Sequence, residues 1–322
     1  MAILNPSQWS DEEYFADRQY VRKGWLDKIT LRPDMGGSPA LLRAYLAGAP
    51  EKATAAMQFG TAFHGAVLED RALRPIHATR RGTKAYEGEE AMILEREPLA
   101  FPMPVKDYDR AMFMREVIMN PTTGAGEFAK RLLYDLPGIN EHIFHGEKKI
   151  DGFSLSSDNR HKLGLEPYQE GDSYDIKVKA KVDRLCPHEG KLIIVDLKTS
   201  ADASPDAFAR SSAKFRYVYQ QAYYNLVARR WMAQCSPEDR AQNEWLSQTL
   251  WNTEYWMVVV QSDRSGIVAA YQCDPDDIER ETQQLNFDLA LYAQCLLENK
   301  WPPAECNPTT LSLPAWYWRN NG

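Results

Sequence analysis

Two aspartates and a lysine fall on two neighbouring stretches that have the pattern of β-strands. Asp183 lies in the first stretch, Asp196 and Lys198 close the second, and His188-Glu189-Gly190 supplies a turn between them. Asp196 and Lys198 are two residues apart and therefore share one face of their strand. Antiparallel pairing would bring the two carboxylates close enough to share one divalent ion. Metal-assisted phosphodiester hydrolysis requires such a set, because carboxylates hold Mg²⁺ while a lysine orients or activates water.

Asp-x-Lys alone is a common triplet, and two predicted helices make it more informative. The downstream helix begins near Tyr217 and places Gln220 and Tyr224 one turn apart on one face. The upstream helix spans 59–69 and carries a single histidine, His64, in an otherwise apolar run. A lone histidine on an apolar face is usually a packed core residue, so its role stays open on this pattern alone.

The order of these motifs resembles a known family. Gly-x-x-x-His, then Asp, then Asp-x-Lys, then Gln-x-x-x-Tyr is similar to the PD-(D/E)xK nuclease superfamily, in the branch of the RecB nuclease domain. Within that branch the resemblance is to the phage exodeoxyribonuclease VIII (RecE-type) exonucleases. It extends from about residue 35 to 318. Further matching segments are Arg80–Lys84, Tyr255–Val260, Gly266–Val268, Trp301–Pro303 and Leu313–Trp316.

The resemblance implies a metal site. His64, Asp183 and Asp196 would hold Mg²⁺, for which Mn²⁺ can substitute, and the backbone carbonyl of Leu197 would be an additional ligand. A neutral imidazole beside two carboxylates suits either ion and leaves positions open for water and phosphate.

Other polar residues are assigned supporting roles. Lys198 acts on the reacting phosphate, and Gln220 and Tyr224 bind DNA phosphates or brace the lysine. Glu141 stands where the family has a matching glutamate and is expected to support the ligands or to be a structural partner. Glu69 lies off the His64 face, so solvation on the helix surface is the simpler expectation.

The implied activity is digestion of linear double-stranded DNA from 5′ ends, within phage-type recombination. The expected partners are DNA ends, a single-strand annealing recombinase and further copies of the chain in a cyclic trimer or tetramer. One alternative is a structure- or sequence-specific endonuclease with the same core. Another is a non-catalytic DNA- or protein-binding module, which has no physical need for clustered, mutually repelling carboxylates.

Composition indicates an ordinary soluble globular protein of 322 residues, 26% charged and 44% hydrophobic. No apolar run reaches transmembrane length, and the first residues do not have the pattern of a signal peptide. Five widely spaced cysteines favour reduced thiols in a cytoplasm, that of a bacterial host. The first cysteine is Cys186 and the last three are far apart, so no iron–sulfur cluster is expected.

The net charge of −7 is unusual for a protein that binds DNA. Phosphate binding needs positive charge only locally, which favours a confined channel over an open surface. The candidate sources of local charge are Arg80–Lys84, Lys130-Arg131, Lys177–Arg184 and Arg210–Arg216.

The predicted fold class is α/β, with a restriction-endonuclease-like core, a central mixed sheet flanked by helices and an N-terminal helical segment. Residues 1–35 are expected to form an arm, and 36–318 the nuclease domain with an insertion at 150–173. Residues 236–250 are predicted to be a polar connection. The aromatic segments Trp9–Trp25 and Trp316–Trp318 would contact other subunits or cover the core of one monomer.

Overall fold

The computed structural model of the chain describes residues 9–31, 36–49, 54–78, 80–151, 163–166 and 173–303. The chain divides into two compact units. The first unit comprises 1–23, 50–148 and 176–285, and the second comprises 24–49, 149–175 and 286–322. Every predicted site residue lies in the first unit. Most of the insertion predicted at 150–173 and all of Trp316–Trp318 lie outside the described residues, and the division predicted at residue 35 stays a prediction.

A five-stranded mixed sheet is the centre of the fold. Its strands are β3 to β7 in chain order, which is also their order across the sheet. The pair β4–β5 is antiparallel, β5–β6 is parallel and β6–β7 is antiparallel. This arrangement confirms the predicted α/β class with a central mixed sheet flanked by helices. The strands are β3 Ile139–Asp151, β4 Ser173–His188, β5 Lys191–Ser200, β6 Thr253–Gln261 and β7 Val268–Gln272.

Helices and one small parallel pair of strands make up the rest of the described chain. The pair is β1 Leu73–Ile76 with β2 Phe101–Pro104. A single π-helical turn, Arg131–Asp135, continues the seventh helix. The helices are α1 Asp11–Ala16, α2 Lys23–Ile29, α3 Pro39–Leu46, α4 Ala55–Leu68, α5 Lys84–Arg96, α6 Val105–Met119, α7 Gly124–Lys130, α8 Pro205–Phe215, α9 Tyr217–Gln234, α10 Pro237–Gln242, α11 Glu244–Thr249 and α12 Pro275–Glu298. Within the described ranges, every helix is too short or too polar to span a lipid bilayer.

The β4–β5 hairpin sets the register on which the site depends. Its two loop residues, Glu189 and Gly190, both have positive φ, of 49° and 75°, as in the tight turns that match the twist of paired strands. The pairing continues from this turn to Arg184 opposite Val195. The next residues beyond that pair are Asp183 and Asp196. A two-residue turn therefore carries the two carboxylates to the same level of the sheet.

The apolar core fixes the helix that carries His64 against the sheet. Residues 192–197 of β5 are all buried, so this strand is covered on both faces. Phe63, Val195, Leu197 and Val258 belong to one buried cluster that joins α4 to the central strands. The histidine is thereby held over the end of β5 by packing on its own helix.

A buried arginine fastens the start of β3 and the end of α4 to β4. The guanidinium of Arg184 donates to the carbonyls of Leu132 and Leu136 at 2.8 and 2.6 Å, and to Asn140 Oδ1 at 2.5 Å. Asn140 in turn donates to the carbonyl of Leu68, the last residue of α4, at 2.7 Å. The bonds satisfy carbonyls that the π-helical turn and α4 leave without partners.

The N-terminal segment packs against β4 of its own unit. Lys179 is fully buried, and its ammonium donates to the Tyr14 carbonyl at 2.6 Å and to Asp17 Oδ2 at 2.8 Å. The Trp9 ring is stacked on His145 at 5.9 Å. Of the two roles predicted for this aromatic segment, the part that lies in the first unit, residues 9–23, shows the second, because it packs on the core of its own chain.

Two predictions about secondary structure were incomplete. The connection 236–250 contains α10 and α11, and the prediction also omitted α5 and the β1–β2 pair. The six-residue α10 buries none of its side chains and α5 buries only Tyr86. Neither helix has the apolar stripe that reveals an amphipathic helix. Their starts are marked by local signals alone, the caps Ser236 and Thr83 and the proline that follows Ser236.

Gly138 lies where the chain passes closest to β4, and Gly138→Ala is expected to destabilise the fold by about 1–3 kcal/mol. A Cβ there would lie 2.7 Å from the Leu185 carbonyl oxygen and 2.9 Å from Cys186 Sγ. The matched control is Gly88→Ala in α5, where a Cβ meets nothing within 4 Å, and which should stabilise by up to about 1 kcal/mol. Urea unfolding midpoints would measure both. Equal midpoints for the two variants would contradict the close approach.

Candidate metal centre

Asp183 lies between the neighbouring strand and the helix above it. One carboxylate oxygen, Oδ2, accepts the backbone N–H of Leu197 at 3.0 Å. The same oxygen lies 3.5 Å from Nδ1 of His64. The alternation of β4 and the packing of α4 thus bring two predicted ligands, 119 positions apart in the sequence, into direct contact.

A glutamate completes the cluster of candidate ligands. His64, Glu141 and Asp183 each offer one ligand atom, and these atoms lie within 4.8 Å of one another. Glu141 was predicted to support the ligands or to be a structural partner, and its carboxylate lies among the candidate ligands. Its φ is 54°, a left-handed conformation that is uncommon for a residue in a strand.

Asp196 lies beside this cluster rather than in it. The residue is completely buried and forms an ion pair with Lys198 through Oδ2. Its other oxygen, Oδ1, is buried and receives no hydrogen bond from the described part of the chain. A buried carboxylate oxygen without a donor is a costly arrangement, and a cation would relieve that cost.

The electrostatics of the site favour a bound cation. Burial and, after it, the charge of Asp183 raise the pKa of Glu141 to about 8, against the opposing effect of Lys181. Burial also raises the pKa of Asp196 to about 7, against the opposing effect of Lys198. For His64, burial lowers the pKa and outweighs the attraction of Asp183, so the imidazole is held neutral with a lone pair for a metal.

Lys198 is enclosed on three sides. Burial would lower the pKa of its ammonium, but Asp196 and Asp183 together keep that pKa above its ordinary value, so it stays charged. It donates to Gln220 Oε1 at 3.4 Å and lies 4.8 Å from the centre of the Tyr217 ring.

The predicted pair on α9 is joined to this lysine. The amide of Gln220 donates to the hydroxyl of Tyr224, one turn further along the helix. The chain of contacts runs from Asp196 through Lys198 and Gln220 to Tyr224. The helix therefore braces the lysine, which is one of the two roles predicted for these residues.

These residues fit a divalent cation with oxygen and nitrogen ligands. The donor set consists of a neutral imidazole and carboxylates, and the buried Oδ1 of Asp196 has no donor within the described ranges. The backbone of Leu197 lies at the site, because its N–H donates to Asp183 Oδ2. Its role as a carbonyl ligand stays a prediction. Oxygen-rich sites with one imidazole suit Mg²⁺ and Mn²⁺.

Several charged residues have roles that differ from the predictions. Glu69 is not simply solvated: its Oε2 lies 2.6 Å from Arg71 Nε and its Oε1 lies 3.6 Å from Lys181 Nζ. Within the predicted basic cluster 177–184, Lys179 and Arg184 are buried and bind the chain's own carbonyls. That cluster is therefore largely structural.

Two residues at the site were missed on sequence reasoning. Lys181 contacts Glu141, and Tyr217 covers Lys198. The sequence held a signal for each. Lys181 precedes Asp183 by two residues and so shares its strand face, and Tyr217 precedes Gln220 by three residues on one helix face.

The raised pKa values predict that the metal-free protein loses stability as the pH rises. In the unfolded chain both carboxyls titrate near their ordinary values, whereas in the fold Glu141 titrates at about 8 and Asp196 at about 7. The folded state therefore binds more protons in between. The stabilising contribution is fully present below about pH 4 and disappears as the pH rises through 7 to 8.

Glu141→Gln should accordingly raise the stability of the metal-free protein at pH 8 by an amount on the order of 1–3 kcal/mol. Urea midpoints in EDTA at acidic and at alkaline pH would measure this difference. The control is Glu147→Gln on the exposed face of the same strand, which should leave the pH profile unchanged. A wild-type protein whose stability rises with pH over this range would refute the assigned environment.

Comparisons with known proteins agree with this geometry. Residues 166–310, under half of the chain, match the model of a PDDEXK-like domain of unknown function (DUF3799). The match includes the β4–β5 hairpin and α9 but not the segments that carry His64 and Glu141. A search of curated proteins finds no sequence match.

Solved structures also resemble this chain. A protein from Eubacterium rectale, described as a "putative exonuclease", has a TM-score of 0.50 at 12% identity, over 98% of this chain and 99% of that chain. The protein SSO0001 has a TM-score of 0.28 at 13% identity, over 70% of this chain and 80% of that chain. The chain has the PDDEXK-like nuclease fold, as the family model and the first structure indicate.

Proposed function

We propose that the protein is a Mg²⁺-dependent exonuclease that degrades linear double-stranded DNA, in the 5′ to 3′ direction. The observation that carries the proposal is the buried Asp196, paired with Lys198 on one strand face beside Asp183 and His64. Burying carboxylates and a charged lysine together costs desolvation free energy, which a divalent cation and a bound phosphate would offset. The PDDEXK-like fold supports the same class of chemistry.

His64, Glu141, Asp183 and Asp196 would hold the metal, with the carbonyl of Leu197 as a further ligand. A bound divalent cation would supply charge to offset the negative charge that builds up on the scissile phosphate.

The remaining site residues act on the phosphate and on water. Lys198 stays protonated and, at 14% exposure of its side chain, can donate to a phosphate oxygen or to the attacking water. Gln220 and the Tyr217 ring restrict the direction of the ammonium, so little reorganisation is needed as charge develops.

The polarity and the biological setting rest on the order of the sequence motifs. Their resemblance to the RecE-type group favours attack at 5′ ends, 3′ single-stranded products and a phage-type recombination role beside a single-strand annealing recombinase. We also propose a cyclic trimer or tetramer. With a net charge of −7, a closed ring would retain a polyanion by topology rather than by strong binding.

Asp183→Asn, Asp196→Asn and Lys198→Ala should each reduce cleavage at least about 100-fold while the protein remains folded and still binds DNA. The substrate is an end-labelled linear duplex with Mg²⁺, run beside supercoiled plasmid, and Ca²⁺ should suppress the activity. An exposed residue on β4 provides the control, Asp175→Asn, which should cleave like the wild type.

The outcomes separate the alternatives. Cleavage of the closed plasmid would identify an endonuclease of the same core. Near wild-type turnover by Asp196→Asn would make the site assignment wrong, and full activity in EDTA would rule out the metal. DNA binding with no cleavage of any substrate would leave a non-catalytic module.

Light scattering at micromolar concentration tests the ring. The expected mass is three or four times the chain mass of 36.8 kDa, with and without linear duplex. Because the described part of Trp9–Trp25 packs within its own chain, contacts would use other exposed apolar side chains, such as Leu99 and Trp251. A monomer mass under both conditions would refute the ring.

A further inference from the structure

Glu141 adopts a backbone conformation that its own side chain does not favour. Its φ of 54° lies in the left-handed region, and it occurs near the start of an extended strand. Such a conformation costs on the order of 1 kcal/mol or more for a residue with a Cβ, and it persists only where surrounding contacts enforce it. A contact that enforces the position of this carboxylate is therefore to be expected nearby.

The Lys181 ammonium provides that contact. Its Nζ lies 2.7 Å from Glu141 Oε2, and both side chains are less than one-fifth exposed. Lys181 precedes Asp183 by two residues on β4, so both project from the same face of the strand. The lysine thus reaches the glutamate from beside one of the other ligands.

Lys181 is itself fixed from the opposite side. Glu69 Oε1 lies 3.6 Å from its Nζ, and Glu69 Oε2 is held by Arg71 Nε at 2.6 Å. The charges alternate in sign along this row, from Arg71 through Glu69 and Lys181 to Glu141. Each member has an opposite charge beside it, so the row is mutually stabilising in its partly buried setting.

We propose that Lys181 is a positioning residue that fixes Glu141 as a protein ligand of the metal beside His64 and Asp183. The inference rests on the proposed metal-dependent function. Without the lysine, the Glu141 carboxylate would face the like charge of Asp183 with no attraction to hold it there, and its side chain would turn toward solvent.

A positioning role and a purely electrostatic role predict opposite changes in metal affinity when Lys181 is removed. Lys181 carries a positive charge close to the cation site, so by electrostatics alone its removal should strengthen metal binding. A positioning role predicts the reverse, since the loss of a ligand's support weakens metal affinity by roughly 10- to 100-fold. The direction of the change therefore distinguishes the two roles.

The test is the affinity for Mn²⁺, measured by calorimetry and by the electron paramagnetic resonance signal of the free ion. Lys181→Met should weaken binding at least about 10-fold, and Lys181→Arg, which keeps the charge and the donors, should recover most of it. The control Lys177→Met changes an exposed lysine on the same strand and should bind like the wild type. Unchanged or tighter binding by Lys181→Met would overturn the proposal.

A double-mutant cycle shows whether the lysine acts through the glutamate. In a Glu141→Gln background, Lys181→Met should produce no further loss of Mn²⁺ affinity. An additional loss of the full size would show that the lysine acts independently. Circular dichroism on each variant guards against misfolding. If Lys181→Met does not fold, Lys181→Gln, which removes the charge and keeps a polar side chain, replaces it in both backgrounds with the same expected outcomes.

Asp183→Asn separates failure of this inference from failure of the proposed function. If Asp183→Asn abolishes Mn²⁺ binding while Lys181→Met does not change it, the metal site stands and the positioning role fails. If the wild type shows no Mn²⁺ binding that Asp183→Asn weakens, the metal centre itself is wrong.

Discussion

The repulsion among carboxylates that the fold brings together is the constraint on which the rest of the site depends. Glu141, Asp183 and Asp196 come from three adjacent strands and meet where little water reaches them. Burial and the charge of Asp183 both favour the protonated forms of Glu141 and Asp196, whose pKa values are raised. A fold that holds such a cluster must place positive charge beside it to offset the repulsion among the carboxylates.

Two lysines provide most of the opposing charge, and their environments divide their tasks. Lys198 offsets the charge of Asp196 and is flanked by Gln220 and the Tyr217 ring. Its side chain stays 14% exposed, so its ammonium can reach a substrate. Lys181 balances Glu141 and has a second acid, Glu69, on its far side. The first lysine can therefore act on a reactant, while the second is committed to the protein's own carboxylates.

The sequence predicts those contacts of the site that arise between residues close together along the chain. Strand alternation and a two-residue turn place Asp183, Asp196 and Lys198 together, and helix periodicity pairs Gln220 with Tyr224. The position of Glu141 among the candidate ligands was not predictable, because Glu141 lies on a different strand and has a left-handed backbone that no short-range pattern predicts. Helices α5 and α10 were missed because most of their side chains are exposed. A helix shows a periodic apolar pattern only where one of its faces is buried.

The same repulsion bears on whether the site is used. Replacing each carboxylate by its amide would keep its size and remove a destabilising charge, so a domain that only needed this fold would be more stable with amides at these positions. The buried Oδ1 of Asp196 has no hydrogen-bond donor within the described ranges. Buried polar atoms in folded proteins nearly always have a hydrogen-bond partner, so this exception points to a ligand at the site. The neutral imidazole of His64, the like charges and the acceptor without a donor all become favourable on binding a cation. A bound cation explains all three features at once, whereas a purely structural role explains none of them. The charged Lys198 beside the site favours a phosphate as the group on which the site acts.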